Sequence, residues 1–154
     1  MRAYARIPYF GYSFDFRDLM NFKESERYIT MIDKNKETAV SFLQLASIGK
    51  VNEAYSKYIG DGFRHHNPFF EGSAEALRVA MEENARQNPD KALEIKHVIA
   101  EGEFVIVHAL VRHKPEDLGV ALVHIFRFEK GSIVELWDLG QPVPEKSPNQ
   151  YGVF

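Results

Sequence analysis

The chain of 154 residues sets 19 Lys plus Arg against 22 Asp plus Glu, a net charge of -3. With no basic run, nothing in it resembles a phosphate-binding footprint, which argues against a nucleic-acid partner. Cysteine is absent, which removes disulfides, thiolate catalysis and cysteine metal sites together.

The length suits one domain, which buries roughly two-thirds of the surface of its unfolded chain and can hold both a core and a pocket. Residues 1–31 differ in texture from the rest. Tyr4, Tyr9, Phe10, Tyr12, Phe14 and Phe16 crowd a stretch punctuated by Pro8 and Gly11, without the h-region or cleavage site of a signal peptide. The stretch reads either as an extension ahead of the domain or as an arm that buries its aromatic rings on the domain or on a partner subunit. No apolar run approaches membrane-spanning length, so the expectation is a cytoplasmic protein without a membrane partner.

From Asp33 the pattern becomes regular. Asp33 serves as an N-cap, and Ala39, Phe42, Leu43 and Ala46 follow at helical spacing until Gly49. Val51, Ala54, Tyr55, Tyr58 and Ile59 repeat the spacing in a second helix that ends at Gly60. A third begins at Ser73, carries Leu77, Ala80, Met81 and Asn84 on one face, and stops at Asn88-Pro89. Strands are expected over 91–100, 103–113, 118–128 and 132–140. The short joints between them suit consecutive antiparallel hairpins. The sum is an α+β domain, residues 32–154, with helices packed on a curved antiparallel sheet.

Hairpin geometry then distributes the side chains. A two-residue turn at Lys130-Gly131 sets Phe128 opposite Ile133, Phe126 opposite Glu135 and His124 opposite Trp137. A turn at Glu101-Gly102 sets Ile95 opposite His108. The 114–118 connection decides whether the hairpins agree. A five-residue loop pairs His108 with His124, while a four-residue loop puts them on opposite faces, because side chains alternate with period two. The five-residue loop collects Phe104, Leu110, Leu122, Phe126, Trp137 and Leu139 with His108, His124 and Glu135, and sends Asp138 to the other face. That other face is apolar too, and an antiparallel sheet with two apolar faces must cover both. Helices cover one, and a second copy of the chain in a symmetric homodimer covers the other.

The segments "YIGDGFRHHNP", "VHALV" and "HIFRFEKGSIVELWDLGQPVPEKSP" resemble the SnoaL-like polyketide cyclase family, particularly its predicted aldol-condensation branch. The resemblance spans roughly residues 33–154. It implies the nuclear transport factor 2-like (cystatin-like) fold, a cone-shaped curved antiparallel sheet packed with three N-terminal helices, dimeric through its outer sheet face. It also implies cofactor-free chemistry, with a carboxylate where this chain has His124 and a histidine on the neighbouring strand, here His108. The family's "QHNP" places its His-Asn at the pocket mouth, which makes His66 and Asn67 hydrogen-bond donors to a substrate carbonyl.

Each candidate carries a plainer alternative. His124 is either a hydrogen-bonded pocket histidine or an acid/base group, since imidazole titrates near neutral pH and apolar neighbours favour its neutral, basic form. Glu135 either orients a histidine or forms a structural ion pair. Trp137, Phe104 and Phe126 read as pocket walls, and Tyr58 as a further donor. His65, replacing the family's Gln, is expected to be the more exposed of its pair. No HExxH or two-His-one-carboxylate spacing occurs, so no metal is expected. The reading is a small cofactor-free enzyme that removes an acidic C–H proton from a small hydrophobic carbonyl compound, in an aldol cyclisation, isomerisation or lyase step. The alternative is a non-catalytic ligand-binding or interaction module of the same fold.

Overall fold

The computed structural model describes residues 16–154, with side chains from residue 20 onward. The aromatic cluster Tyr4 to Phe14 therefore lies outside the described residues. Helix α1 runs from Phe16–Ser47. It passes straight through Asp33, which is an interior residue and not an N-cap. No Gly or Pro interrupts residues 16–47, so the backbone has no reason to stop where the apolar periodicity begins. Periodicity marks only the part that packs: Asn35, Ala39, Phe42, Leu43 and Ala46 are buried, while residues 20–31 are exposed.

Gly49 ends α1 with φ +81°. The backbone bonds Lys50 N to Leu45 O and Gly49 N to Ala46 O close a Schellman cap, which needs a residue in the left-handed region. Helix α2, Val51–Tyr58, leads without a loop into strand β1, Ile59–His65. That strand has no alternating apolar signature and was absent from the sequence reading. Gly60 belongs to it and does not cap a helix. A side chain there would meet Ser132 Cβ at 3.0 Å and Val134 Cγ1 at 3.2 Å. Helix α3, Ala74–Gln87, starts as expected at Ser73, whose hydroxyl accepts from Ala76 N.

Four further strands follow: β2 Ala92–Glu101, β3 Phe104–Arg112, β4 Val120–Glu129 and β5 Ser132–Pro142. They form one sheet in the order β1-β5-β4-β3-β2, antiparallel from β5 to β2, with β1 as a parallel edge on β5. The three helices cover one face. Phe42 meets Phe126 edge-on at 5.9 Å between ring centroids and Tyr55 at 5.7 Å, over Val105, Val107, Phe128, Ile133 and Leu136. Truncating a ring as buried as Phe42 costs about 3–5 kcal/mol. Among the described residues, no helix is long and apolar enough to cross a membrane.

The strand register differs from the simple hairpin count in three places. The Lys130-Gly131 turn forms as expected, with both residues at positive φ and Phe128 opposite Ile133. One residue further on, Arg127 faces Glu135, which leaves Val134 unpaired as a β-bulge. Every later residue of β5 is thereby turned over, so His124 faces Asp138 and Ile125 faces Trp137. The β2–β3 turn is Gly102-Glu103, which by itself sets His97 opposite His108, and a bulge at Lys96 beyond that pair puts Ile95 opposite Ala109. Across β3–β4, Val107 and not His108 faces His124. His108 and His124 consequently lie on opposite faces of the sheet.

Candidate functional site

The helix-covered face holds a cavity of about 260 Å³. Leu43, Leu77 and Met81 of the helices and Leu93, Val111 and Leu122 of the sheet form its apolar walls. Its polar groups are Ser47, Asn67, Asn84, Lys91, His113, His124 and Asp138. Phe70 completes the wall beside Asn67.

His124 is the buried titratable group of this cavity, 8% exposed. It sits on β4 between Leu122 and Phe126 at the inward positions, its ring stacked 6.2 Å from that of Phe126. Its Nδ1 is buried without a hydrogen-bond partner among the described residues. Burial pushes the imidazole pKa down to about 4, with the charge of Asp138 pulling the other way. At neutral pH the ring is therefore uncharged, because a cation there would lose its hydration.

Asp138 reaches this face only through the Val134 bulge. Its Oδ2 accepts a 2.7 Å hydrogen bond from Asn67 Nδ2, which holds the carboxylate beside the cavity. Asn67 is itself fixed by its loop: its Oδ1 accepts from Phe69 N and its backbone N–H donates to His65 Nδ1. His65 is not exposed, as the sequence reading had it, but 5% exposed. Its Nε2 lies 2.6 Å from Glu71 O, so the ring ties both ends of the 66–71 loop together.

The remaining candidates separate into other places. His66, Glu135, Trp137 and Phe104 do come together, but on the outer face. The His66 ring stacks on Trp137 at 4.6 Å and its Nε2 lies 2.9 Å from Glu135 Oε1, while the Phe104 ring is tilted against Trp137 at 6.4 Å between centroids. Glu135 also accepts from Arg64 and Arg127. The Arg64 hydrogen bonds, followed by those of His66 and Arg127, hold its carboxyl down at about 2 against the cost of burial. It is thus a structural ion-pair centre and no part of the pocket. His108 is on the same outer face, with Nδ1 3.1 Å from that of His97 and its ring against Phe154. Phe126 lies in the core beneath the cavity, and Tyr58 packs at the core margin without lining it. Of the expected site residues, His124 and Asn67 alone line the cavity.

Sequence reasoning missed Asp138, Lys91 and His113 as cavity residues. Asp138 carried a signal, alternation, that pointed the wrong way because the bulge is invisible to it. Lys91 and His113 stood at the outer ends of expected strands, and the structure has them just beyond β2 and β3, where alternation does not tell which way a side chain points. No set of three or more His, Cys, Asp or Glu side chains among the described residues is arranged to hold a metal ion.

This arrangement of helices on a mixed sheet matches known proteins. The SnoaL-like domain matches residues 47–136, more than half of the chain. The chain belongs to the SnoaL-like family. Solved structures agree on the fold. A proposed hydroxylase from Streptomyces galilaeus superposes with a TM-score of 0.60 at 23% identity, covering 71% of this chain and 90% of that one. A proposed polyketide cyclase from Bacillus cereus gives 0.61 at 20% identity, over 70% and 74% of the two chains. A SnoaL-like protein of unknown function from Burkholderia thailandensis gives 0.60 at 16%, over 71% and 96%. Among curated proteins none matches. The inner cavity, with His124 and Asp138 in its wall, is the candidate site of this SnoaL-like domain.

Proposed function

We propose that the protein is a small cofactor-free enzyme that removes and returns a proton on a carbonyl compound within the inner cavity, in an aldol, isomerisation or lyase step. One observation carries this reading: a buried, neutral imidazole with an unpartnered nitrogen, facing a carboxylate across adjacent strands. His124 takes the C–H proton as general base. The imidazolium so formed is expensive in an apolar cavity, and the adjacent Asp138 carboxylate offsets that cost by Coulomb attraction in a medium of low dielectric. The Asn67 amide holds Asp138 in place. The resemblance to family cyclases implies a carboxylate at the position of His124, and on this reading Asp138 supplies a carboxylate to the site from the next strand.

The test is solvent deuterium exchange into β-dicarbonyl compounds. Exchange above background in wild type, lost in both His124→Ala and Asp138→Asn, supports the enzyme. Loss in His108→Ala alone would return the chemistry to the outer face and sink this assignment.

The second reading, a non-catalytic module binding a small hydrophobic carbonyl ligand, is favoured by the low pKa of His124, since a group protonated only near pH 4 is a weak base. Ligand binding with no exchange for any compound supports it. Either reading goes with a homodimer in the cytoplasm, formed through the outer sheet face. Phe104 at 39% and Leu139 at 58% exposure, with Trp137, Ile106 and Ile125 partly buried beside them, support that interface.

A further inference from the structure

The cavity is electrically lopsided. Asp138 stands at one side, on β5, and Lys91 at the other, at the entrance to β2. The strand order places β4 and β3 between them, three strand spacings or about 14 Å of backbone separation. Lys91 therefore does not belong to the His124–Asp138 pair.

Among the described residues, the Lys91 ammonium has one side-chain partner, the neutral Asn84 amide, whose Oδ1 it meets at 2.8 Å. It forms no ion pair, and burial alone presses its pKa below the ordinary lysine value, with no neighbouring charge acting on it. A half-buried cation without a counter-ion is costly, and the arginines of the preceding helix α3 show what the usual solution looks like. Arg78 pairs with Glu75 and Glu82, and Arg86 with Glu83. Lys91 alone of these points at the cavity, with the exposed His113 at the same rim. Between this end and His124 the walls are Leu93, Val111 and Leu122.

We propose that the Lys91 end of the cavity is an anion site, so that the ligand is a small amphipathic carboxylate, its head group on Lys91 and its apolar body along the sheet towards His124. The inference rests on the reading of the cavity as the place of proton transfer, and it adds the substrate class: an oxo acid whose carboxylate is separated by several carbons from the carbonyl that acidifies the C–H bond. A β-keto acid is too short, because its acidic carbon is bonded directly to the carboxylate. A volume of about 260 Å³, below the roughly 300–1,000 Å³ of pockets for drug-sized ligands, limits the body to one ring or a short chain.

The test uses a β-diketone bearing a carboxylate at the end of a three-carbon arm, with its methyl ester as the matched neutral probe. Calorimetry on wild type should show the carboxylate binding about tenfold or more tightly than the ester, a margin appropriate to one charge-assisted hydrogen bond. Lys91→Met should erase that margin while leaving the ester's affinity in place, and Lys91→Arg should retain most of it. Should Lys91→Met not fold, rising salt must weaken the carboxylate and not the ester in wild type. Equal binding of the two probes, a margin that survives in Lys91→Met, or no binding of either at millimolar concentration overturns the proposal. Deuterium exchange at the carbon between the two carbonyls is read separately. Exchange without a charge preference overturns the anion site alone, and a preference without exchange overturns the catalytic reading alone.

Discussion

His124 and Asp138 face each other across β4 and β5 on the inner side of the sheet, and they do so because Val134 is one residue more than the hairpin needs. The aspartate is held by Asn67, and the histidine is held uncharged by its own burial. If the pair works as a unit, Asp138→Asn should reduce exchange about 10²–10⁴-fold while leaving the fold intact, because the substituted amide keeps the shape of the carboxylate. Exchange rates with circular dichroism on the same samples check this.

The depressed pKa of His124 also governs stability. Its folded value, about 4, lies below the unfolded histidine value of about 6.5. Between these values the unfolded chain binds a proton that the folded chain refuses, so stability is full above about pH 6.5 and falls as the pH drops towards 4. The loss reaches up to about 3 kcal/mol. Urea unfolding of wild type and His124→Leu from pH 7 to pH 4 should show the variant losing less by this amount.

Removing Val134 should be mild. In the deletion Glu135 follows Ile133 directly and still meets Arg127, so Leu136, Trp137 and Asp138 keep their partners and faces and the strand loses only its bulge. The severe alternative is the one the bulge avoids: with Val134 paired to Arg127, Glu135 would lie opposite Phe126 in the core, and a carboxylate stripped of Arg64 and Arg127 there is among the few changes that cost more than about 4 kcal/mol. The expected outcome for the deletion is a folded protein that loses about 1–3 kcal/mol from the packing of the buried Val134, seen as a lowered urea midpoint with a cooperative transition retained.

Glu135→Gln tests the outer ion cluster. Its pKa near 2 means that its contribution is present above the unfolded carboxylate value near 4.3 and vanishes as the pH falls towards 2. Arg64 is largely exposed, at 61% for its side chain, so solvent screening limits the loss at pH 7 to about 1 kcal/mol. The difference between wild type and variant should shrink below pH 4.

The proposed dimer is tested by Leu139→Arg. Leu139 is exposed and outside the core, so a charge there leaves the fold alone and disfavours burial of the outer face against a second copy. Sedimentation velocity should show a dimer for wild type and a monomer for the variant.

Local pattern was enough for much of this molecule. Apolar spacing located the packing halves of the helices, Ser73 and Gly49 marked real termini, and alternation with short turns revealed four of five strands. The "HIFRFEKGSIVELWDLG" hairpin pointed to the family, and His124 and Asn67 as cavity residues were legible from it. What remained hidden depends on contacts distant in sequence. Strand β1 exists because β5 offers it an edge, and α1 begins far before its packing face because nothing in the chain stops it. One unpaired residue, Val134, accommodated where Gly60 leaves room, decides which of two neighbouring residues, Trp137 or Asp138, meets the buried histidine. Alternation has period two, so a single inserted residue exchanges the faces of everything beyond it. Local pattern and motif sufficed for the fold class and for the histidine; strand register, set by long-range pairing, made its partner an aspartate and put His108 on the other side.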